Sequence, residues 1–344
     1  MTRGLNIKRG NFGGKTEMKC NFDNISLEKG MYQSGKSLTE ILEAIDPSEN
    51  YCGTALEGLD AFSRQLKRFD IKVTGRNSDT VEKFFQSCNS SVLFPEYVVR
   101  CVKSGMSENS QLNDIVASTT QIDGLDYCPI VNKPNENKDE DAPVPPLVVN
   151  INNNLIKLHK RGRTLTASYE AIRFQRLDLF SVFLKQIGAY IKKAQMADAI
   201  GTIILGNDKK SFCESIQSLA LTGLIFEDLA CLHREFDTYE LNTLIASPKV
   251  AGHLFAIKAI SDQIVCENNK YTLPFGINLI VTNAISDVFV PGFDKNRTLE
   301  MIESGGINVD YDKLIDRQFE RAAITCTAGF SRIFDDSVKA IKLR

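Results

Sequence analysis

The sequence predicts an α+β protein, in which helices and strands are mixed without a regular β-α-β repeat. Two observations lead to this prediction: amphipathic helical segments alternate with short extended runs at irregular intervals, and strand formers return toward the C-terminus. With 344 residues, 43% of them hydrophobic and 24% charged, the chain can bury a sizeable core in about two domains. These figures exclude wholesale disorder, a collagen-like chain and a disulfide-stapled miniature.

Charge and cysteine content narrow the class of protein further. The formal net charge is −2, from 41 basic and 43 acidic side chains, which argues against condensation of nucleic acid by bulk electrostatics. The nine cysteines lie far apart and form no C-x-x-C pair, so we expect reduced thiols rather than a disulfide framework or a zinc ribbon. No signal peptide and no membrane-spanning run is visible, which favours a cytoplasm-like compartment.

The N-terminal part of the sequence predicts an arm followed by three short helices. Residues through Lys29 are rich in Gly, Asn and Lys, a composition that gains order only against a partner. A capping box at residues 37–40 opens the first helix, a second opens at Thr54, and residues 79–87 form the third. Their apolar stripes are narrow, so we expect these helices to pack on something other than themselves.

A long hairpin with a charged tip is predicted in the middle of the chain. After the strand formers Val116 and Ile122, residues 128–131 and 147–158 are extended runs, and residues 132–146 between them are dense in Pro, Asn and acidic side chains. Because such a hairpin is polar on both faces, it cannot form its own core. We therefore expect it to lie across another molecule or subunit.

The strongest helical pattern follows this hairpin. From residue 169 to about residue 205, apolar positions recur mostly at spacings of three and four, and a cap signal at Gly206 ends the helix. The remaining pattern predicts helices at residues 227–237 and 248–260, and strands at residues 241–247, 277–283, 298–302, 307–311, 319–330 and 338–343.

One motif suggests nucleotide binding. Residues 30–37, GMYQSGKS, match the phosphate-loop pattern, in which backbone amides and a lysine hold phosphates. A true loop of this kind leaves a buried parallel strand, whereas residues 21–29 read NFDNISLEK. We therefore favour a glycine-rich turn before a capped helix, and keep a P-loop nucleotide-binding enzyme as a distant alternative.

No other pattern reaches a catalytic or metal-binding constellation. The three histidines are widely separated, and nothing completes four zinc ligands around Cys231 and His233. The acidic cluster near residue 140 lacks the alternating ligands and glycine of a calcium loop. We therefore assign no catalytic residue, metal or cofactor, and do not expect an enzyme.

Two groups of charged residues on the hairpin are candidates for contacts between subunits, although simple solvation would also explain them. The basic run is too short for a nucleic-acid groove and lacks interleaved aromatics. The candidate residues are Asp139, Glu140 and Asp141 at the tip, and Lys157, Lys160, Arg161 and Arg163 on the returning arm.

The order of the segments from residue 93 onward carries a resemblance to a known family. These segments are LFPEYVVRCVKSG, the hairpin, the long helix within residues 166–207, LIASPKVAGHL, GINLIVTN and the closing DRQFERAAITCTAGFSRIFDDSVKAIKL. In this order and spacing they resemble the tailed-bacteriophage major capsid proteins of the Hong Kong 97-like fold. The resemblance implies an N-terminal arm, an extended hairpin loop, a long spine helix, and peripheral and axial domains.

The implied domains follow the segments. Residues 1–92 would be an N-terminal arm or scaffold-like helical segment, and residues 128–163 the extended loop. Residues 227–293 would form the axial domain. The discontinuous peripheral domain would comprise residues 93–127, 164–226 and 294–344, with the spine helix at about residues 170–206.

The implied function is that of a viral shell. Such a protein self-assembles through pentamers and hexamers into an icosahedral virus head that encloses double-stranded DNA without sequence-specific binding. Portal, scaffold and decoration proteins are the further partners implied, with no membrane, and the location is the virion after assembly in the host cytoplasm. Encapsulin nanocompartments share the fold, so an encapsulin-like shell protein is the close alternative.

Overall fold

The computed structural model describes residues 23, 25–34, 36–108, 111–124, 126–127, 130–133, 148–151, 156–168, 173–220, 224–267, 270–314 and 319–343. The chain divides into two compact units, Met1–Tyr97 with Arg173–Asp178, and Val98–Ile172 with Leu179–Arg344. The α-helices are α1 (Leu38–Ile45), α2 (Ala61–Arg68), α3 (Cys88–Ser91), α4 (Leu93–Glu108), α5 (Leu177–Leu205), α6 (Phe226–Arg234), α7 (Pro248–Ala256), α8 (Lys258–Ser261) and α9 (Lys295–Thr298). The strands are β1 (Ser118–Ile122), β2 (Asp126–Tyr127), β3 (Ile130–Lys133), β4 (Val148–Ile151), β5 (Ile156–Lys157), β6 (His159–Ser168), β7 (Glu214–Gln217), β8 (Thr243–Ala246), β9 (Val265–Glu267), β10 (Lys270–Leu273), β11 (Ile277–Val281), β12 (Phe289–Phe293), β13 (Leu299–Leu314), β14 (Phe319–Arg332) and β15 (Val338–Lys342).

The first unit begins with the capped helix that the sequence predicts. The Ser37 hydroxyl accepts the Glu40 N–H, and the Glu40 carboxylate accepts the Ser37 N–H, both at 3.2 Å. The second helix, in contrast, does not begin at Thr54. It begins at Ala61, because the Asp60 carboxylate accepts the Ser63 N–H at 2.9 Å and so caps α2.

The third predicted helix, at residues 79–87, is shorter and more tightly wound than the sequence pattern indicates. Within that range Val81–Phe85 form a 3-10 helix. Helix α3 starts beyond the predicted range, at Cys88, where the Ser87 hydroxyl accepts the Ser90 N–H at 3.0 Å and caps it.

The expectation that these short helices pack on something other than themselves holds for the third, which packs on α4 through Phe84, whereas α1 and α2 contact each other. Arg64 is fully buried; its Nε donates to Asp46 at 3.1 Å, and its guanidinium lies 4.3 Å from the Tyr51 ring centre. The Phe84 ring packs against Phe94 and Tyr97, with centroids 5.5 and 5.4 Å away. The predicted arm lies mostly outside the described residues.

The second unit contains a four-stranded sheet in the order β1-β13-β14-β6. Strand β1 is parallel to β13, and the other pairs are antiparallel. The two strands predicted at residues 298–302 and 307–311 are one strand, β13. Gly305 and Gly306 adopt positive φ angles at a shift in register between Ser304 and Ile307, so the strand continues through an irregularity.

A seven-stranded sheet in the same unit has the order β7-β15-β12-β8-β11-β10-β9. Strand β8 lies at its centre, and all four residues of this strand are buried. Helices α6, α7 and α8 supply apolar side chains to the core that includes β8, β11 and β12. The helix predicted for residues 248–260 is interrupted at Ile257, whose backbone is extended. Strands β7, β9, β10 and β12 were not predicted.

Helix α5 is the long helix that the sequence predicts. It begins at Leu177 rather than at residue 169, and ends before Gly206, which has a φ of +73°. Its C-terminal half belongs to the second core, with Met196, Ala199, Ile200 and Ile203 packed among Ile245, Phe293, Met301 and Phe330. No helix among the described residues is long and apolar enough to cross a membrane.

Helices α4 and α5 approach each other closely through two glycines. A Cβ atom on Gly105 would lie 2.1 Å from the Lys185 carbonyl oxygen, and one on Gly188 would lie 2.3 Å from the Val102 carbonyl oxygen. Because both obstacles are backbone atoms, only glycine permits this packing. Pro95 lies in the first turn of α4, where proline is tolerated.

Candidate assembly surfaces

Two short strand pairs form the hairpin that the sequence predicts. Asp126 of β2 lies opposite Lys157 of β5, and β3 pairs with β4 in antiparallel register from Ile130↔Ile151 to Lys133↔Val148. Within the described residues each pair is only two-stranded, so the hairpin has little internal support. The predicted contact residues Asp139, Glu140 and Asp141 lie outside the described residues.

Tyr127 anchors the base of this hairpin to the four-stranded sheet. Its hydroxyl lies 3.1 and 3.2 Å from the two carboxylate oxygens of Glu300 on β13 and donates to them. Burial raises the pKa of Tyr127, and the negative charge of Glu300 raises it further. The tyrosine therefore stays protonated as a donor and fixes where the hairpin leaves the sheet.

The structure separates the four predicted basic residues of the hairpin into two pairs. Arg161 is joined to Asp198 of α5, with its Nη2 2.6 Å from Oδ1, and Arg163 lies over the Tyr190 ring, 3.8 Å from the ring centre. Both arginines thus have partners inside the chain, whereas Lys157 and Lys160 are exposed. That these four residues contact other subunits stays a prediction.

An apolar stripe on α5 is a surface that sequence reasoning missed. Leu179, Val182, Phe183 and Tyr190 lie at helical spacings on one face and keep between 40% and 58% of their maximal exposure. The opposite face, with Leu177, is buried. The sequence does carry a signal for this stripe. Apolar residues occupy nearly all sides of the first 14 residues of α5, LDLFSVFLKQIGAY, a pattern that indicates burial on two faces.

A groove of about 830 Å³ lies next to this stripe, between α5, the end of α4 and the seven-stranded sheet. Two carboxylates beside it are already neutralised: Asp114 accepts a hydrogen bond from Lys270 and Glu108 accepts one from Lys185, both at 2.6 Å. The Lys185 hydrogen bond also lowers the pKa of Glu108. The lining residues that matter for charge are Glu108, Asp114, Lys192, Lys193 and Lys270, with Gln186 and Tyr190 at the boundary with the stripe.

Lys192 and Lys193 give this groove its positive charge. Neither lysine takes part in an ion pair between described residues, and the Lys193 side chain is exposed. The groove therefore presents two lysines whose charge is not balanced by the acids that line it. An acidic segment is the chemistry that fits such a surface.

The phosphate-loop match does not have the context of a nucleotide site. Residues 25–28 before it form no strand, and the Ser37 hydroxyl that would hold magnesium caps α1 instead. Within the part of the chain that the structure describes, no group of three or more His, Cys, Asp or Glu side chains could hold a metal ion. All seven cysteines in that part are free thiols.

Comparison with known proteins places this geometry among shell-forming proteins. A sequence-family profile described as "Phage capsid protein" matches residues 153–324. The comparison with curated proteins finds no match. Among solved structures, the capsid of an empty GTA particle is 13% identical over 68% of this chain and 90% of that chain, with a TM-score of 0.54.

Two further solved structures are similar. The capsid of the native GTA particle is 12% identical over 68% of this chain and 90% of its own, with a TM-score of 0.52. A virus-like particle from Pyrococcus furiosus is 14% identical over 72% of this chain and 98% of its own, with a TM-score of 0.51. At such low identity the likeness concerns the fold, and it confirms the predicted α+β fold of the Hong Kong 97-like class.

Proposed function

This chain belongs to the phage capsid protein family, and we propose on that premise that it is the major capsid protein of a virus head. In this proposal the chain assembles through pentamers and hexamers into an icosahedral shell around double-stranded DNA. Its role is structural rather than enzymatic, and its location is the virion, after assembly in the host cytoplasm. The observation that carries the proposal is the family match over residues 153–324, which runs from the returning arm of the hairpin to β14.

The surfaces of the chain support a role that depends on many copies. The hairpin is two-stranded in the described residues, and α5 exposes an apolar stripe at 40–58% of maximal exposure. Burial of such surfaces between copies contributes little free energy at one interface, but the contribution is multiplied when each copy makes the same contacts around a closed shell. A shell protein needs these surfaces and no reactive site.

The domains that the resemblance implies are part of the proposal. The four-stranded sheet with α5 would belong to the peripheral domain, and residues 128–163 would be the extended loop. Residues 227–293, which hold most of α6 together with α7, α8 and β8 to β12, would form the axial domain near the capsomer centre. The compact N-terminal unit, which includes α1 to α3, is the part for which the capsid resemblance supplies no clear counterpart.

Other partners in the proposal are those that a virus head requires. Portal, scaffold and decoration proteins would contact the shell, and DNA would be enclosed without recognition of its sequence. The net charge of −2 fits a container better than a protein that condenses DNA.

Electron microscopy of the purified full chain, expressed alone and together with a scaffold, tests the proposal. We expect pentamers, hexamers or closed shells. A homogeneous monomer by sedimentation at micromolar concentration, without particles in any condition, would contradict it. Nuclease-treated particles from the native host separate the two kinds of shell: protected double-stranded DNA supports a virus head, whereas a protein cargo without DNA supports the encapsulin-like alternative.

A further inference from the structure

We propose that the groove beside α5 binds the phosphate backbone of nucleic acid through Arg163, Lys192 and Lys193. This inference rests on the proposed function and deepens it, because DNA enclosed in a shell meets the shell protein through its outward phosphates. It names the residues that hold the DNA and the chemical group that they recognise. Since phosphates carry no sequence information, these contacts accept DNA of any sequence.

Three basic side chains without an acidic partner meet at this groove. Lys192 and Lys193 line it, and the Arg163 guanidinium lies 3.8 Å from the ring centre of Tyr190, another lining residue. In the part of the chain that the structure describes, none of these three cations takes part in an ion pair. The groove therefore holds local positive charge, although the formal net charge of the chain is −2.

The two carboxylates beside the groove do not offset this charge. Glu108 accepts a hydrogen bond from Lys185, and Asp114 accepts one from Lys270, both at 2.6 Å. Each of these acids is thus matched by a lysine of its own. An anion that enters the groove meets the three other cations and does not have to displace an existing ion pair.

Arg163 is pre-organised to bind an anion. Its contact with the Tyr190 ring is a cation–π interaction that holds the guanidinium plane in place. A guanidinium has five N–H donors in a rigid fork, and such a fork can donate two parallel hydrogen bonds to one phosphate group. Because stacking already orders the side chain, binding costs less conformational entropy than it would for a mobile arginine.

The length and the lining of the groove favour a nucleic-acid strand over an acidic segment of protein. The lining residues of α5 extend from Gln186 to Met196, ten residues of helix or about 15 Å. One DNA strand presents a phosphate about every 3.4 Å along its axis, so about four phosphates pass over this length, and the cations need no defined register. The amides of Gln111, Gln186 and Asn283 also line the groove and can donate to phosphate oxygens.

Binding of a short fluorescent DNA duplex by the purified full chain tests this site. One variant carries Lys192→Gln and Lys193→Gln, and a second carries Arg163→Gln. The matched control, Lys209→Gln with Lys210→Gln, removes the same charge from an exposed lysine pair just after α5. At about 0.1 M salt we expect the lysine variant to bind about tenfold or more weakly than the wild type, whatever the duplex sequence, and the control to bind normally.

The salt dependence of binding identifies the contact as one to phosphate. Each neutralised phosphate contributes about 0.9 to the slope of log K against log salt, so loss of Lys192 and Lys193 should flatten that slope by about 2. Arg163→Lys keeps the charge but not the fork, so its slope should stay near that of the wild type while its affinity falls about threefold. Affinity and slope unchanged in the folded groove variants, or an equal loss in the control, would overturn the proposal.

Particles test whether enclosed DNA occupies the groove. The groove variants should form particles in normal yield, and Lys192 and Lys193 should react more slowly with an amine reagent in DNA-filled particles than in empty ones. Equal reaction rates would overturn the proposal. Loss of particles with duplex binding unchanged would also overturn it, and would show that the groove holds an acidic segment of protein.

Failure of this inference is distinguishable from failure of the proposed function. If the wild-type chain forms no particle in any condition, the proposed function fails, and duplex binding still decides whether the groove recognises phosphate. If wild-type particles form but the wild-type chain binds no duplex, only the inference fails.

Discussion

Arg161 on β6 and Asp198 on α5 are joined by two charged hydrogen bonds, from Nε to Oδ2 at 2.9 Å and from Nη2 to Oδ1 at 2.6 Å. The two residues are 37 positions apart in sequence, so the pair ties the edge strand of the four-stranded sheet to the long helix. Two parallel hydrogen bonds fix the guanidinium and carboxylate in one plane, which gives the contact directional strength. This edge strand is also the one from which the hairpin departs.

We therefore expect Asp198→Asn and Arg161→Gln each to lower the free energy of unfolding by roughly 0.5–1 kcal/mol, since both side chains are partly exposed. A double-mutant cycle in urea should give a coupling energy of similar size, because both substitutions break the same pair. If stability is unchanged while assembly fails, Arg161 serves a contact between copies instead, as its sequence position first suggested.

Local signals predicted the parts of the fold that local interactions determine. The capping box at Ser37 and the cap signal at Gly206 correctly marked the start of α1 and the end of α5. The pattern of Pro, Asn and acid correctly located a hairpin between β3 and β4. Each of these features depends on side chains within a few residues of one another.

Features that depend on tertiary contacts were not predictable in the same way. The partner of Arg161 was unknown because Asp198 is brought near only when β6 packs on α5. Strand β13 was divided in two because Gly305 and Gly306 weaken the pattern, although pairing with β14 continues beyond them. The stripe on α5 was missed because apolar residues on a second helix face are read as core unless burial is known.

Because α4 packs closely on α5, we expect even a methyl group added at their contact to lower the free energy of unfolding. Gly188→Ala should lower the free energy of unfolding by about 1–3 kcal/mol, because its Cβ would collide with the Val102 carbonyl and force the helices apart. The control is Gly201→Ala in the same helix, where nothing lies within 4 Å, and this variant should gain about 0.5–1 kcal/mol. Chemical denaturation measures both; a neutral Gly188→Ala would show that the helices are not in close contact.

We expect the first unit to lose stability in acid, because the folded state lowers the pKa of Glu43. Burial opposes its ionisation, but hydrogen bonds from Ser48 and the Ala61 N–H, together with the charge of Arg64, outweigh burial and bring the pKa below its ordinary value of 4.5. Because the folded state lowers this pKa, the ionised carboxylate stabilises the fold above pH 4.5, and the contribution is lost as pH falls through the folded pKa.

The measurement is the melting temperature of the wild type and of Glu43→Gln across this range. The wild type should be more stable by a constant amount well above pH 4.5, and the difference should shrink as the pH falls below that value. Glu49→Gln, at an exposed position in the same unit, controls for the loss of one charge. A difference that does not change with pH would mean that Glu43 acts through packing and not through its charge.

Deletion of residues 135–142 should separate folding from assembly. The removed residues form the acidic tip, while the strand pairs at the base of the hairpin and the Tyr127 anchor remain, so circular dichroism and melting temperature should match the wild type. Particle yield should fall, because contacts made only between copies are lost. A Gly/Ser segment of equal length restores chain length without charge and should remain defective if the acids are what bind. An unfolded deletion variant would place these residues in the subunit's own core, and an unchanged yield would make them a free surface loop.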